Sequence, residues 1–181
     1  HPEKRERMTY AEELDYLVSK ESRNKFILEL CNTISGNTLC LFQLVEKHGK
    51  ILYDGMKEKE NVYFVYGGTD TDQRERIRGL VEGHKNSTTI ASYGTFSTGI
   101  NIRNIHNIVL ASPSKSKIRV LQSIGRGLRT SSTKDSILIF DIADDISYKE
   151  RRNFTLNHFF ERLNIYNEEQ FNYEISKVKI K

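Results

Sequence analysis

Cysteine is scarce in this 181-residue chain, with Cys31 and Cys40 its only two. Two thiols give no disulfide framework and cannot close a zinc site without further ligands, and none of the five histidines stands at a convincing ligand spacing. Both cysteines fall in segments that read as a helix and a buried strand, where free cysteine behaves as a small apolar residue. A reducing, intracellular setting is therefore expected. No apolar run is long enough to span a bilayer and no signal peptide opens the chain, so no membrane partner is expected. Nowhere does Gly-x-x-x-x-Gly-Lys-Ser/Thr occur, which excludes a Walker A loop that could cradle a nucleotide's phosphates. No Asp-Glu box follows a strand to hold Mg2+ and orient water. Asp144-Asp145, after Phe140-Asp141-Ile142-Ala143, reads as a turn or helix-cap cluster.

What is present suits one domain with a core of its own, since 37% of the residues are hydrophobic. A net charge of +4 permits contact with a phosphate backbone without establishing it. The opening His1-Pro2 and the charged run Glu3 to Arg7 read as a linker over residues 1–8, leading from a longer protein into a domain over 9–181. The stretch after about 165 has no clear assignment.

Periodicity orders the rest. Leu14, Leu17 and Val18 recur at helical spacing after Thr9, with Glu12, Glu13 and Asp15 favouring the helix start. Phe26, Ile27, Leu30 and Ile34 line a second helix stopped by Gly36. Five apolar runs read as strands: 38–42, 62–66, 88–92, 107–111 and 137–141. Between them come a helix through Leu44, Val45, His48, Ile51 and Leu52, and another from Asp70 or Thr71 to about Gly83. A polar connection is expected over Gly94 to Gly99, then a helix around Arg119 to Gly125 and a last one from Tyr148 to about Leu163. Continuously apolar strands are buried on both faces, and strands alternating with helices build an open, mostly parallel α/β sheet with helices on both faces. Functional groups in such sheets gather at the carboxyl ends of the strands.

The sharpest pattern is Gln122-Ser123-Ile124-Gly125-Arg126-Gly127-Leu128-Arg129. On a helix, positions 122, 126 and 129 share a narrow arc of one face. Two guanidiniums side by side repel unless an anion joins them, and their forked donors match phosphate oxygens. An isolated arginine pair would more simply be a solvated helix end complementing the dipole; the glutamine, the glycines and the buried-strand context tip the balance toward phosphate binding.

Gln-x-x-Gly-Arg-x-x-Arg resembles motif VI of superfamily 2 helicases. Three further segments are similar to that family's motifs in the right order: Thr38 to His48 with Gln43 resembles motif IV, Tyr66-Gly67-Gly68 with Arg74 resembles motif IVa, and Ser92 to Asn101 resembles motif V. The resemblance covers roughly Thr38 to Asp141 and implies a RecA-like fold. It implies that Arg129 is the arginine finger reaching the γ-phosphate of ATP on another motor domain, that Arg126 helps bind phosphate or organise the finger, and that Gln122 couples the nucleotide to the cleft. Gly99 and Asn101 match the motif V glycine and the acidic position after it, where Asn keeps the hydrogen bonding of the commoner Asp but not its charge. Gln43, Gly67, Arg74, Ser92 and Thr95 become candidate nucleic-acid contacts. Ser92 aligns with the motif V threonine only with one residue inserted before Gly99, and Thr95 competes for the same role. Gly67 and Arg74 could clamp the same strand, with a plain strand-to-helix turn the alternative reading of Gly67-Gly68.

The resemblance implies the second motor domain of an ATP-dependent DNA helicase or translocase that acts on single-stranded or branched DNA in recombination, replication or repair. ATP and Mg2+ would be held mainly by an N-terminal RecA-like motor domain of the same protein, so this chain alone is expected to be inactive and to hold no cofactor or metal. The alternatives are an inert nucleic-acid-binding scaffold, an RNA helicase or a restriction-type translocase domain.

Overall fold

The computed structural model describes residues 8–97, 104–113, 121 and 136–180. Gly99, Asn101, Gln122, Arg126 and Arg129 lie outside the described residues. In chain order the elements are α1 (Tyr10–Ser19), α2 (Glu21–Thr33), β1 (Thr38–Phe42), a π-helical turn (Val45–Gly49) running into α3 (Lys50–Asp54), β2 (Val62–Val65), α4 (Thr71–Gly83), β3 (Thr88–Ser92), α5 (Tyr93–Ser97), β4 (Asn107–Leu110), β5 (Leu138–Asp141) and α6 (Phe154–Glu168).

The strands form one sheet in the order β2-β3-β1-β4-β5, and every pairing is parallel. The central strands β1, β3 and β4 are buried along their whole length, as their continuous apolar runs require. Alternation sends Leu39, Leu41, Ala91, Ile108 and Leu110 to one face, against Ile77 and Val81 of α4 and Tyr166 of α6. Cys40, Phe42, Ile90 and Val109 go to the other face, against Ile27 and Cys31 of α2 and Leu52 of α3. Helices thus cover both faces, and the domain has the α/β, RecA-like architecture. Cys31 and Cys40 are free and buried; the hydrogen bond with the Cys31 thiol and then burial push the Cys40 thiol well up from its ordinary pKa.

Local signals place several boundaries. The Thr9 hydroxyl accepts from Glu12 N–H while the Glu12 carboxylate accepts from Thr9 N–H, a reciprocal cap that starts α1. Asp70 caps α4 by accepting from Gln73 N–H at 2.7 Å. At Gly49 a β-carbon would stand 2.4 Å from the Phe42 ring, so only glycine lets the π-helical turn press on the end of β1.

Four expectations need correction. The buried face of α2 is Arg23, Asn24, Ile27 and Cys31, with Phe26 and Leu30 at its margin, because Arg23 and Asn24 find hydrogen-bond partners at depth. Ile51, placed on an inward face by spacing, is exposed because the π-helical turn shifts the phase. Residues 94–97 of the expected connection belong to α5, which begins at Tyr93 and which Ser92 starts by accepting from Thr95 N–H at 3.3 Å. The last helix begins at Phe154 and not at Tyr148. Residues 148–151 close a turn instead, and the helix start is set by Glu13 from α1, whose carboxylate accepts from Phe154 N–H at 2.9 Å and Thr155 N–H at 2.7 Å. Glu13 therefore serves the dipole of a distant helix as well as its own first turn. After α6 the chain turns at 169–170 and continues without regular secondary structure, with Phe171 packed on the core.

Candidate functional site

In a parallel sheet every strand ends on the same side, and the loops there form one rim. From one edge to the other this rim carries Gly67 and Arg74 beyond β2, Ser92 and Thr95 beyond β3, Gln43 beyond β1, Ser112 beyond β4, and Asp141 to Asp145 at β5. All five described candidates for nucleic-acid contact therefore lie at the ends of three adjacent strands.

Gln43 is exposed, and its backbone is held in place from below. Its N–H donates to Ser112 Oγ at 3.0 Å, and the same hydroxyl lies 2.8 Å from Nδ1 of the fully buried His48. His48 Nε2 lies 3.2 Å from Asn24 Oδ1, and Asn24 in turn donates to Val18 O at 2.8 Å. A polar chain through α2, the π-helical turn and the end of β4 thus fixes where Gln43 leaves the sheet. In the sequence His48 reads only as one position of a helix, and Ser112 only as the residue before Pro113; a buried histidine with both ring nitrogens partnered shows itself in the fold alone.

Beyond β2, Arg74 folds back onto its own loop. Its Nε donates to Thr69 O at 2.8 Å, and one Nη donates to Gly67 O at 3.0 Å and to Tyr66 O at 3.3 Å. The guanidinium fork shapes the Tyr66–Thr69 turn, leaving Gly67 exposed with open space where a side chain would be. Ser92 and Thr95 meet each other: both are buried and their hydroxyl oxygens lie 2.5 Å apart. Their side chains build α5, which brings Gly94 to the surface.

Two buried ion pairs brace the other half of the rim. Arg23 on α2 donates from Nε to Asp144 Oδ1 at 2.7 Å and from Nη2 to Ala111 O at 2.8 Å. Asp144 is thus an ion-pair partner, not a cap, whereas Asp145 makes a turn by accepting from Ser147 N–H at 3.0 Å. The Ser147 hydroxyl and N–H hold the Asp145 carboxyl below its ordinary pKa. At the end of β5, Asp141 takes a two-pronged contact from Arg162, with Nε at 2.6 Å and Nη2 at 3.0 Å, and also accepts from the Tyr166 hydroxyl. Burial works against the Arg162 charge, yet the neighbouring carboxylate raises its pKa overall. Burial, then Asp141, raises the Tyr166 phenol, and Tyr93 at the start of α5 is raised well up in the same way; both remain neutral donors. Tyr93 donates to Ser112 O at 3.1 Å. It packs in one apolar cluster with Tyr166 and with Leu121, the residue before Gln122, which is fully buried. Among the described residues no three His, Cys, Asp or Glu side chains come together in a way that could hold a metal ion. No helix among them is long and apolar enough to cross a membrane.

A five-stranded parallel sheet with its polar constellations on one rim defines a RecA-like domain. The chain matches the model of the helicase conserved C-terminal domain over residues 10–131, and it belongs to that family. It is 37% identical over 186 aligned residues to the ATP-dependent DNA helicase UvsW of Enterobacteria phage T4, covering 95% of this chain and 37% of UvsW. It is 34% identical over 103 residues to IRC3 of Saccharomyces cerevisiae, covering 56% of this chain and 15% of IRC3. The crystal structure of T4 UvsW superposes with a TM-score of 0.83 at 36% identity, over 98% of this chain and 38% of that one. The chain therefore spans little more than a third of UvsW.

Proposed function

We propose that this chain is the second motor domain of an ATP-dependent DNA helicase or translocase that works on branched DNA in recombination, replication or repair. The observation that carries the proposal is the placement of Gln43, Gly67, Arg74, Ser92 and Thr95 on three adjacent strand ends of a helicase C-terminal domain. A single strand laid along these loops would meet the exposed turns at Gly67 and Gly94 and the side chain of Gln43, contacts suited to a sugar-phosphate backbone and not to base identity. Ser92, Thr95 and Arg74 act mainly by shaping those turns.

The nucleotide belongs to the facing surface. Gln122, Arg126 and Arg129 follow directly on the buried Leu121. Their two guanidiniums and one amide fit the γ-phosphate, while Gly99 and Asn101 fit the ribose and the coupling loop. ATP and Mg2+ would be held mainly by an N-terminal RecA-like domain, because this sequence has neither a Walker A loop nor an Asp-Glu box. Closure of the two domains brings Arg129 to the phosphate and shifts the grip of the rim on DNA; hydrolysis releases it. UvsW carries the name of an ATP-dependent DNA helicase, which favours DNA over RNA.

Strand displacement by the full-length protein on forked DNA, four-way junctions and RNA–DNA hybrids tests the substrate class. Forks and junctions should be unwound fastest. Preference for the RNA–DNA hybrid would move the domain to the RNA helicases. Translocation without displacement of any strand would make it a restriction-type translocase, and neither activity would leave a scaffold.

A further inference from the structure

Beyond β5, at the sheet edge opposite Gly67 and Arg74, the chain makes a tight turn that no helicase motif claims. Tyr148 N–H donates to Arg151 O at 3.2 Å and Arg151 N–H donates to Tyr148 O at 3.1 Å, closing a two-residue loop. Lys149 occupies its first central position with φ 52°, a left-handed conformation that such turns ordinarily fill with glycine. A lysine kept where glycine would fit with less strain points to a use for its side chain.

The residues around it agree. Within Tyr148-Lys149-Glu150-Arg151-Arg152, three cations face one carboxylate, a net charge of +2 in five residues. Lys149, Arg151 and Arg152 are all exposed. The Arg152 guanidinium is steadied over the Phe160 ring at 4.6 Å, and Lys149 lies 5.3 Å from the Tyr148 ring. Among the nearby carboxylates, Asp144 pairs with Arg23, Asp145 accepts from Ser147 N–H and feels the charges of Lys177 and Arg152, and Glu13 accepts from Asn153, Phe154 and Thr155. The turn is also fixed relative to the rim. It leads into α6, whose first two turns meet the Tyr10 ring through Phe154 and His158, and the Tyr10 hydroxyl donates to Pro113 O beyond β4. β2 and β5 are the two edge strands of the sheet, four inter-strand steps of about 4.8 Å apart, so the turn after β5 and the Gly67 loop after β2 follow opposite edges.

We propose that the Tyr148–Arg152 turn is a second DNA contact, gripping the phosphodiester backbone of a duplex arm beside the single strand held by the rim. It rests on the DNA-helicase proposal above and adds the part of the substrate that a single-strand groove does not reach. Contacts of this kind read phosphate charge alone, so they appear in the salt dependence of binding.

The test compares wild type, Lys149→Gly and the triple variant Lys149→Gly/Arg151→Gln/Arg152→Gln, as the full chain and in the full-length protein, on forked DNA and on a short single strand across a salt series. Lys149→Gly should raise Tm, because glycine relieves the positive φ, and yet weaken fork binding about 5-fold, with a log K against log salt slope shallower by about 0.9. The triple variant should lose about 2.7 from that slope on forks and keep its single-strand affinity. Wild-type slope and affinity on forks in the triple variant would overturn the proposal while leaving the helicase assignment intact. Equal losses on fork and single strand would overturn the duplex assignment. A wild-type protein that bound neither DNA would sink both proposals together.

Discussion

Replacing Arg129 by alanine in the full-length protein should lower ATP turnover by about 10³-fold or more while DNA binding stays near wild type. The reason is where its charge acts. In phosphoryl transfer, negative charge spreads over the γ-phosphoryl oxygens as the bond to the leaving group breaks, and a guanidinium fork poised there stabilises the transition state more than the bound ground state. A contact of that kind is lost from kcat, with KM for ATP little changed. Arg129→Lys should recover little, since an ammonium keeps the charge and loses the planar fork. The DNA contacts proposed at Gln43, Gly67 and Gly94 lie on the β2-β3-β1 part of the rim and need no help from Arg129. ATPase assays with saturating DNA, together with fork binding measured without nucleotide, check both halves. Full turnover in the alanine variant would mean that Arg129 is not the finger.

The second large effect concerns folding. Arg162→Met should destabilise the domain by about 3–5 kcal/mol, because it removes the paired cation from the Asp141 carboxylate in a site where the arginine side chain is only 2% exposed and the aspartate 9%. Against a typical domain stability of about 5–15 kcal/mol, that brings the chain close to unfolding. Removing the whole triad, as Asp141→Leu/Arg162→Met/Tyr166→Phe, should recover most of the loss, since no buried charge or orphaned hydroxyl remains. Urea titrations of the single and triple variants measure this. A single variant within about 1 kcal/mol of wild type would show that water reaches the site and that the pair is not desolvated. The consequence reaches function because Tyr166 packs with Tyr93 of α5 and with Leu121 before Gln122. Loosening α6 therefore loosens the packing of Tyr93, which follows β3, and of Leu121.

How much of this was legible in the sequence divides by the range of the forces involved. Continuous apolar runs marked all five strands to within a residue or so, because burial on both faces leaves no room for polar alternation. The Thr9–Glu12 and Asp70 caps were readable because a cap and its target lie three residues apart. The start of α6 was not, since its N–H groups are satisfied by Glu13, more than a hundred residues earlier in the chain. Nor was the inward face of α2: hydropathy favours Phe26 and Leu30 over Arg23 and Asn24, and only Asp144, Ala111 and His48, brought close by the fold, make those polar side chains acceptable at depth. For the candidate site, the sequence offered Gln43, Gly67, Arg74, Ser92 and Thr95 as motif positions, and the fold sets them on one rim. Their division of labour was not legible, because whether Arg74 faces a phosphate or its own loop depends on carbonyl positions at Tyr66, Gly67 and Thr69.

ATP hydrolysis by the purified 181-residue chain, with and without forked DNA, tests the half-site claim most directly. The predicted result is no measurable turnover in either condition, because a finger without a phosphate cradle or a bound Mg2+ has no transition state to stabilise. Turnover that is stimulated by DNA and abolished by Arg129→Ala would contradict the claim and place a complete ATP site within this chain.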